Sequence, residues 1–321
     1  MMNHCLARLP VIATLILLLA GCAQTREPPA VDLTTGHSGG SLVRVHPRKA
    51  WVISAGWEGR VAIWTLTGEP VRSWQAHAGT VNGLVFADGG GMITAGYDAH
   101  LVDWTLDGRE LRRQVTPSSI TAATGSAVRD LLLTGHADGW VRIWRLSDLS
   151  LVQAQQAHTA AVRAVALHEP SGRMASSGRD GRVVLFSLGE PPQALAPPPT
   201  DSRTLAFSPA GHVLMGGGWF RLHRWDLDEG AFRSIPTPHH GIIKAIRYSK
   251  DGRYLATISR QTDSAVLFLD PDSGAVLRRF QKHALCGGDV YLSRDNDLMV
   301  TTADDASVRI YHLEAPPEAS P

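Results

Sequence analysis

The sequence predicts an all-β chain in which seven small antiparallel sheets repeat in tandem. Three observations carry that expectation. The first is a recurring hairpin. Residues 134–144 read as a strand end, a tight Asp-Gly turn and a second strand with apolar residues at alternate positions. Residues 54–64, 94–104, 176–186 and 301–311 repeat it, pairing a hydroxyl with an acid as Ser54/Glu58, Thr94/Asp98, Thr134/Asp138, Ser176/Asp180 and Thr301/Asp305. The second is the period: the closing aromatics Trp64, Trp104, Trp144, Phe186, Trp225, Phe268 and Tyr311 stand about 40 residues apart, the length of one four-stranded unit. The third is composition, in which 31 glycines and 9 tryptophans suit tight turns and large packing residues.

Charge narrows the partners. Lys plus Arg is 31 and Asp plus Glu is 30, a net charge of +1 that argues against nucleic acid, which is held through a basic surplus. The 3 cysteines cannot build a disulfide framework. No Cys-x-x-Cys-His run occurs, and no cofactor is expected.

Taken in order, the chain starts with His4 and Arg8 before an apolar run over residues 9–20, then Gly21 and Cys22. That run is shorter than the roughly 20 apolar residues of a membrane span. Its ending, Leu19-Ala20-Gly21-Cys22, resembles the lipobox of bacterial lipoproteins. The resemblance implies a signal peptide over residues 1–21, cleavage before Cys22 and acylation of that residue. Ala23 after the cysteine implies the outer membrane of a Gram-negative cell, facing the periplasm. Residues 22–30 are then the lipidated cysteine and a linker, whose eight residues after Cys22 reach at most about 28 Å and keep the folded body near the membrane.

About 27 or 28 residues before most closing aromatics stands a histidine: His37, His77, His158, His240 and His283. Gly36-His37 opens one unit and Trp225-Asp226 closes another. Over residues 31–313 the chain resembles the WD-repeat β-propellers. That resemblance implies a seven-bladed WD-repeat β-propeller with four antiparallel strands per blade, whose repeats are offset from its blades. The seventh unit stops at Leu313, one strand short, before the Pro-rich tail of residues 314–321. Residues 31–35 are expected to supply the missing strand, so that the ring is closed by the N-terminal strand with both edges hidden. Blade three has Pro117 at the histidine position. Blade five has Met215 and Trp219, and blade six Ile258 and Thr262, at the hydroxyl and acid positions. These blades are expected to lose a polar tie.

A single His, Ser/Thr and Asp set would suggest a hydrolase triad, but a set returning in most blades cannot be one positioned active site. The family resemblance implies instead a buried chain of hydrogen bonds within each blade. The full sets are His77/Thr94/Asp98/Trp104 and His37/Ser54/Glu58/Trp64, with His158/Ser176/Asp180, Thr134/Asp138/Trp144 and His283/Thr301/Asp305 as partial ones. Such networks are tolerated when every member finds a partner.

Function is then sought on the end of the ring carrying the acid turns, its top. The residue before each acid position crowns that face: Trp57, Tyr97, Ala137, Arg179, Gly218, Gln261 and Asp304, with Trp219 and Phe220 beside Gly218. A second position at the start of each innermost strand holds Leu42, Asn82, Arg163, Arg203, Lys244 and Gly288, leaving blade three unassigned. Trp, Tyr and Arg dominate binding hot spots. Arg163, Arg179, Arg203 and Lys244 with Trp219 and Phe220 suit an acidic segment of a protein partner. The plain alternative is that these are ordinary half-buried side chains. Cys286 is read as reactive or, preferably, buried. His239-His240 is not read as a metal site, because adjacent strand residues point to opposite faces.

The resulting expectation is a non-catalytic interaction scaffold, lipid-anchored, that meets a periplasmic or envelope protein through its top face. Two alternatives stand beside it. One is an enzyme or small-ligand sensor using the central channel, for which Asp289 and Asp304 are the only nearby acids assigned. The other is an assembly subunit that docks by its perimeter. Since the outermost strand runs from bottom to top, the linker is expected to enter at the bottom, turning the top away from the membrane.

Overall fold

The computed structural model describes residues 26–261 and 263–313; Cys22, the segment 1–21, Thr262 and the tail 314–321 lie outside the described residues. Seven four-stranded antiparallel sheets follow one another, and no helix occurs among the described residues. Blade two shows the plan: Val81–Phe86 lies innermost, then Met92–Gly96, His100–Trp104 and Glu110–Val115 outward. The outward gradient of burial explains the sequence pattern. Met92–Gly96 is buried throughout and apolar except for Thr94, whereas Glu110–Val115 is exposed and mostly polar.

The core lies between neighbouring blades. Ile53, Val61 and Ile63 of blade one meet Val81, Met92 and Trp104 of blade two in one cluster. Val43 and Val52 of blade one likewise meet Val300, Val308 and Ile310 of blade seven. Each sheet therefore buries both faces, which a ring permits and an open array does not.

The N-terminal strand closes the ring as the sequence predicts. Val31–Thr34 pairs with Ser307–His312 as the fourth strand of blade seven, in the register Val31 with Ile310 and Thr34 with Ser307. Arg309 ties the seam by reaching Asp32 at 3.0 Å and the carbonyl of Lys282 at 2.6 Å. On the channel side, a Cβ at Gly288 would run into the Gly40 carbonyl oxygen, so blades seven and one meet through glycine.

The path before that strand differs from the expectation. The Glu27 N–H donates to the Arg279 carbonyl, Gln281 donates back to Glu27, and Arg278 holds the Glu27 carboxylate. Phe280, beside them, bonds the carbonyl of Val266, the first residue after the top turn of blade six. The described chain therefore starts on the perimeter between blades six and seven, near the top. The inference that the linker enters at the bottom, and so turns the top away from a membrane, is not supported.

Candidate functional site

The hydrogen-bonded ties come first, since they position the top turns. In blade two His77 bonds Thr94 at 2.7 Å and Asp98 at 2.9 Å, and the Trp104 indole N–H donates to Thr94 at 2.8 Å. In blade one His37 meets Ser54 at 2.8 Å and Glu58 at 3.2 Å, with Trp64 donating to Ser54 at 2.9 Å. His158, Ser176 and Asp180 repeat this without an indole. In blade seven His283 bonds Thr301 at 2.8 Å but reaches Ser307 at 2.7 Å before Asp305, which lies at 3.6 Å.

The three blades expected to lose a tie keep one by other means. In blade three His136, not a loop histidine, bonds Thr134 at 2.8 Å and the Ser118 carbonyl at 2.9 Å, while Trp144 also donates to Thr134. Asp138 there leaves the chain of bonds and pairs with Arg142 at 2.8 Å. Blade five uses His223 against Ser202 at 2.9 Å, and the Trp225 indole turns to the Ala196 carbonyl. Blade six uses His239, not His240: His239 bonds Thr257 at 2.8 Å and faces Asp263 at 3.4 Å, while His240 is exposed. The loop between hydroxyl and acid is two residues longer in blade six than in blade two, so Ile258 at the expected hydroxyl position packs in the core instead.

The channel mouth is built by a repeated irregularity. Six of the seven innermost strands carry a bulge near their top ends, and the extra residues are Ser41, Asn82, Thr121, Arg163, Lys244 and Gly288. A bulge leaves one residue outside the ladder and re-aims its side chain; here all six line the upper channel. Ser41 thus replaces Leu42, which is buried in the core at 4% exposure, and Thr121 fills the unassigned place in blade three. Ser41 donates to the Val81 carbonyl at 2.9 Å and Asn82 to the Ile120 carbonyl at 2.8 Å, stitching blade one to two and two to three.

Blades four to six bring three cations to this mouth. Arg203 and Arg163 share one acid that sequence reasoning missed, Asp201, at 3.0 and 3.6 Å. Burial, then the neighbouring Arg203 charge, lowers the pKa of Arg163. Lys244 is exposed to the channel, yet desolvation by the enclosing walls lowers its pKa, opposed by Asp289. Below them Arg44 and Arg247 both bind Asp289, at 2.5 and 3.2 Å. Asp304 pairs with Arg260 at 2.8 Å, and the Arg260 guanidinium lies 4.9 Å from the ring centre of Trp57. Both acids assigned from the sequence are thus engaged in ion pairs.

Around the mouth the rim is aromatic. Trp57, Tyr97 and Phe220 are 38%, 53% and 47% exposed, and Trp219 packs on Phe220 with ring centres 5.5 Å apart. Phe220 holds a left-handed backbone, φ +59°, a strained choice for a bulky side chain. Arg179 is exposed and sits outside the channel lining. Cys286 is half-buried rather than buried.

The model of the WD domain, G-beta repeat, matches residues 68–102 and 149–187. The matches support the WD-repeat propeller family. Relatives include the WD repeat-containing protein VIP3 of Arabidopsis thaliana, 30% identical over 171 residues, which are 48% of this chain and 52% of that protein. Pre-mRNA-processing factor 19 homolog 2 of the same plant is 32% identical over 40% of this chain and 26% of its own length. The periodic tryptophan protein 2 homolog of Caenorhabditis elegans is 28% identical over 42% of this chain and 16% of its own. The match thus spans about half of the first relative and less of the others. The ties of all seven blades account for most of the buried histidines, leaving the mouth and rim as the candidate site.

Proposed function

We propose that this WD-repeat propeller is a non-catalytic protein-interaction scaffold whose top face receives an acidic segment of a partner. The observation that carries the reading is the arrangement of Arg163, Arg203 and Lys244 at the mouth inside a rim of exposed aromatics. The rim supplies rigid apolar area, and the cations supply orientation and specificity. The WD-repeat match of this chain and the relative named as a WD repeat-containing protein favour interaction over catalysis. Capture of partners by the purified protein, compared with Arg163→Glu/Arg203→Glu/Lys244→Glu, tests it. Capture is expected to fall at least tenfold, and unchanged capture removes the patch.

The scaffold is proposed to be anchored by acylated Cys22 to the bacterial outer membrane, facing the periplasm. The support is the apolar run of residues 9–20 ending in Leu19-Ala20-Gly21-Cys22. The matched relatives are eukaryotic and do not bear on the anchor. Several acyl chains together hold a protein on a bilayer where one does not. Labelled palmitate should enter the wild-type chain in a Gram-negative host and not Cys22→Ser; equal labelling defeats the anchor.

A further inference from the structure

The central channel changes character along its length. Below the Arg44–Asp289–Arg247 cluster the narrow upper well gives way to a vestibule of about 730 Å³, within the size range of small-molecule sites. Its wall comes from the lower ends of the innermost strands and carries the rings of Phe86, Phe207, Tyr248 and Tyr291.

The inner end of this vestibule is charged. Arg44 and Arg247 reach it from blades one and six, and both bind the single buried carboxylate of Asp289. Each also donates to the carbonyl of the residue before it, Arg44 to Val43 at 2.6 Å and Arg247 to Ile246 at 2.8 Å. A guanidinium has five N–H donors, more than these bonds use. Two cations against one anion leave a surplus positive charge beside the aromatic walls, where the Arg44 guanidinium also lies 5.7 Å from the ring centre of Tyr291, and a bound carboxylate would complete it. The other charges do not cancel it. Glu169, which accepts from Ser126, is offset by Arg294 on the same wall, and Lys250 is paired with Asp295 at 3.1 Å.

The geometry points to a binding site in this vestibule for an amphipathic monoanion, its carboxylate on Arg44 and Arg247 and its aliphatic or aromatic body against Phe86, Phe207 and Tyr291. The body of the site lies in the lower channel, below the cations of the proposed partner face, and does not depend on that reading.

Octanoate and its neutral counterpart octanamide are the probes, titrated calorimetrically into the full chain carrying Cys22→Ser. Octanoate is expected to bind about tenfold tighter than the amide, the scale of one charge-assisted contact. Arg247→Gln leaves the Arg44–Asp289 pair in place and removes the surplus charge. It should cost octanoate about tenfold and leave the amide unchanged. Nuclear Overhauser contacts from the octanoate methylenes to the Phe86, Phe207 and Tyr291 rings give a readout independent of variant folding. Arg179→Glu, outside the channel lining, should not alter octanoate affinity. Equal binding of acid and amide, an indifferent Arg247→Gln, missing ring contacts, or loss of octanoate in Arg179→Glu would each overturn the proposal.

Discussion

Asp98 is drawn in two directions. Burial raises the pKa of its carboxyl, but the bonds from His77 and from the Ala78 N–H outweigh that and hold it at about 2. In the histidines burial is the larger effect: it takes His136 and His223, which bond no carboxylate, down to about 4, and both are fully buried. The two effects act in separate pH windows. A histidine whose folded pKa is depressed gives stability that is complete above the unfolded value near 6.5 and is lost as pH falls toward 4. Asp98 gives stability that is complete above about 4 and is lost as pH falls through about 2. Between pH 7.5 and 5, His136 and His223 should therefore cost about 2 kcal/mol each, since 1.5 pH units below the unfolded pKa correspond to that amount. Urea unfolding at the two pH values checks this. The His136→Gln/His223→Gln variant should show a flatter dependence, and a wild-type stability that does not change over this range would contradict it.

At the scale of the blade, the sequence exposes some features and conceals others for physical reasons. The period of about 40 residues was legible because each closing aromatic must fill the same space between sheets, so its spacing cannot drift far. The polar ties were legible only where the histidine comes from the loop before the innermost strand, as His77 and His158 do. His136 and His223 come from the second and third strands, so no ruler counted from the aromatic finds them. Blade six hides its tie differently: its longer hairpin moves Thr257 and Asp263 to the opposite face from Phe268, and His239 follows them. The mouth was half legible, since Asn82, Arg163, Lys244 and Gly288 fall on the counted position, but Ser41 and Thr121 emerge only with the bulges. Blade six offers a discriminating pair of variants. Asp263 accepts from Ser259 and from the His240 N–H and holds His239 in place. Asp263→Ala should cost about 2–3 kcal/mol by leaving buried donors without a partner. His240→Ala, at an exposed side chain, should stay within about 0.5 kcal/mol. Urea midpoints decide it, and the reverse order would restore His240 as the structural histidine.

For the whole molecule, the seam between blades seven and one carries a burden that no other junction does, because there the sheet is completed by strands from opposite ends of the chain. Four register pairs join Val31–Thr34 to Ser307–His312, and the Thr35 hydroxyl adds a bond to the Ala306 carbonyl at 2.8 Å. Val308 and Ile310 are fully buried beneath this strand. The ion pair of Asp32 with Arg309 contributes less than the pairing itself, since the Asp32 side chain is 42% exposed and such pairs are worth about 0–1 kcal/mol. Asp32→Ala should therefore leave the melting temperature nearly unchanged. Deleting residues 26–35 should not. It uncovers the N–H and C=O groups of Ser307–His312 as an open edge flanked by apolar side chains, the arrangement that templates pairing with another chain. A covalently continuous ring of seven blades would tolerate the loss, whereas a ring held shut by this clasp should lose several kcal/mol, on the order of half the stability of a typical domain, and associate through the exposed edge. Denaturant titration with light scattering separates these outcomes. A truncated chain that stays monomeric at wild-type stability would show that closure rests on the packing of Val43 and Val52 against blade seven, and not on the strand exchanged between the chain ends.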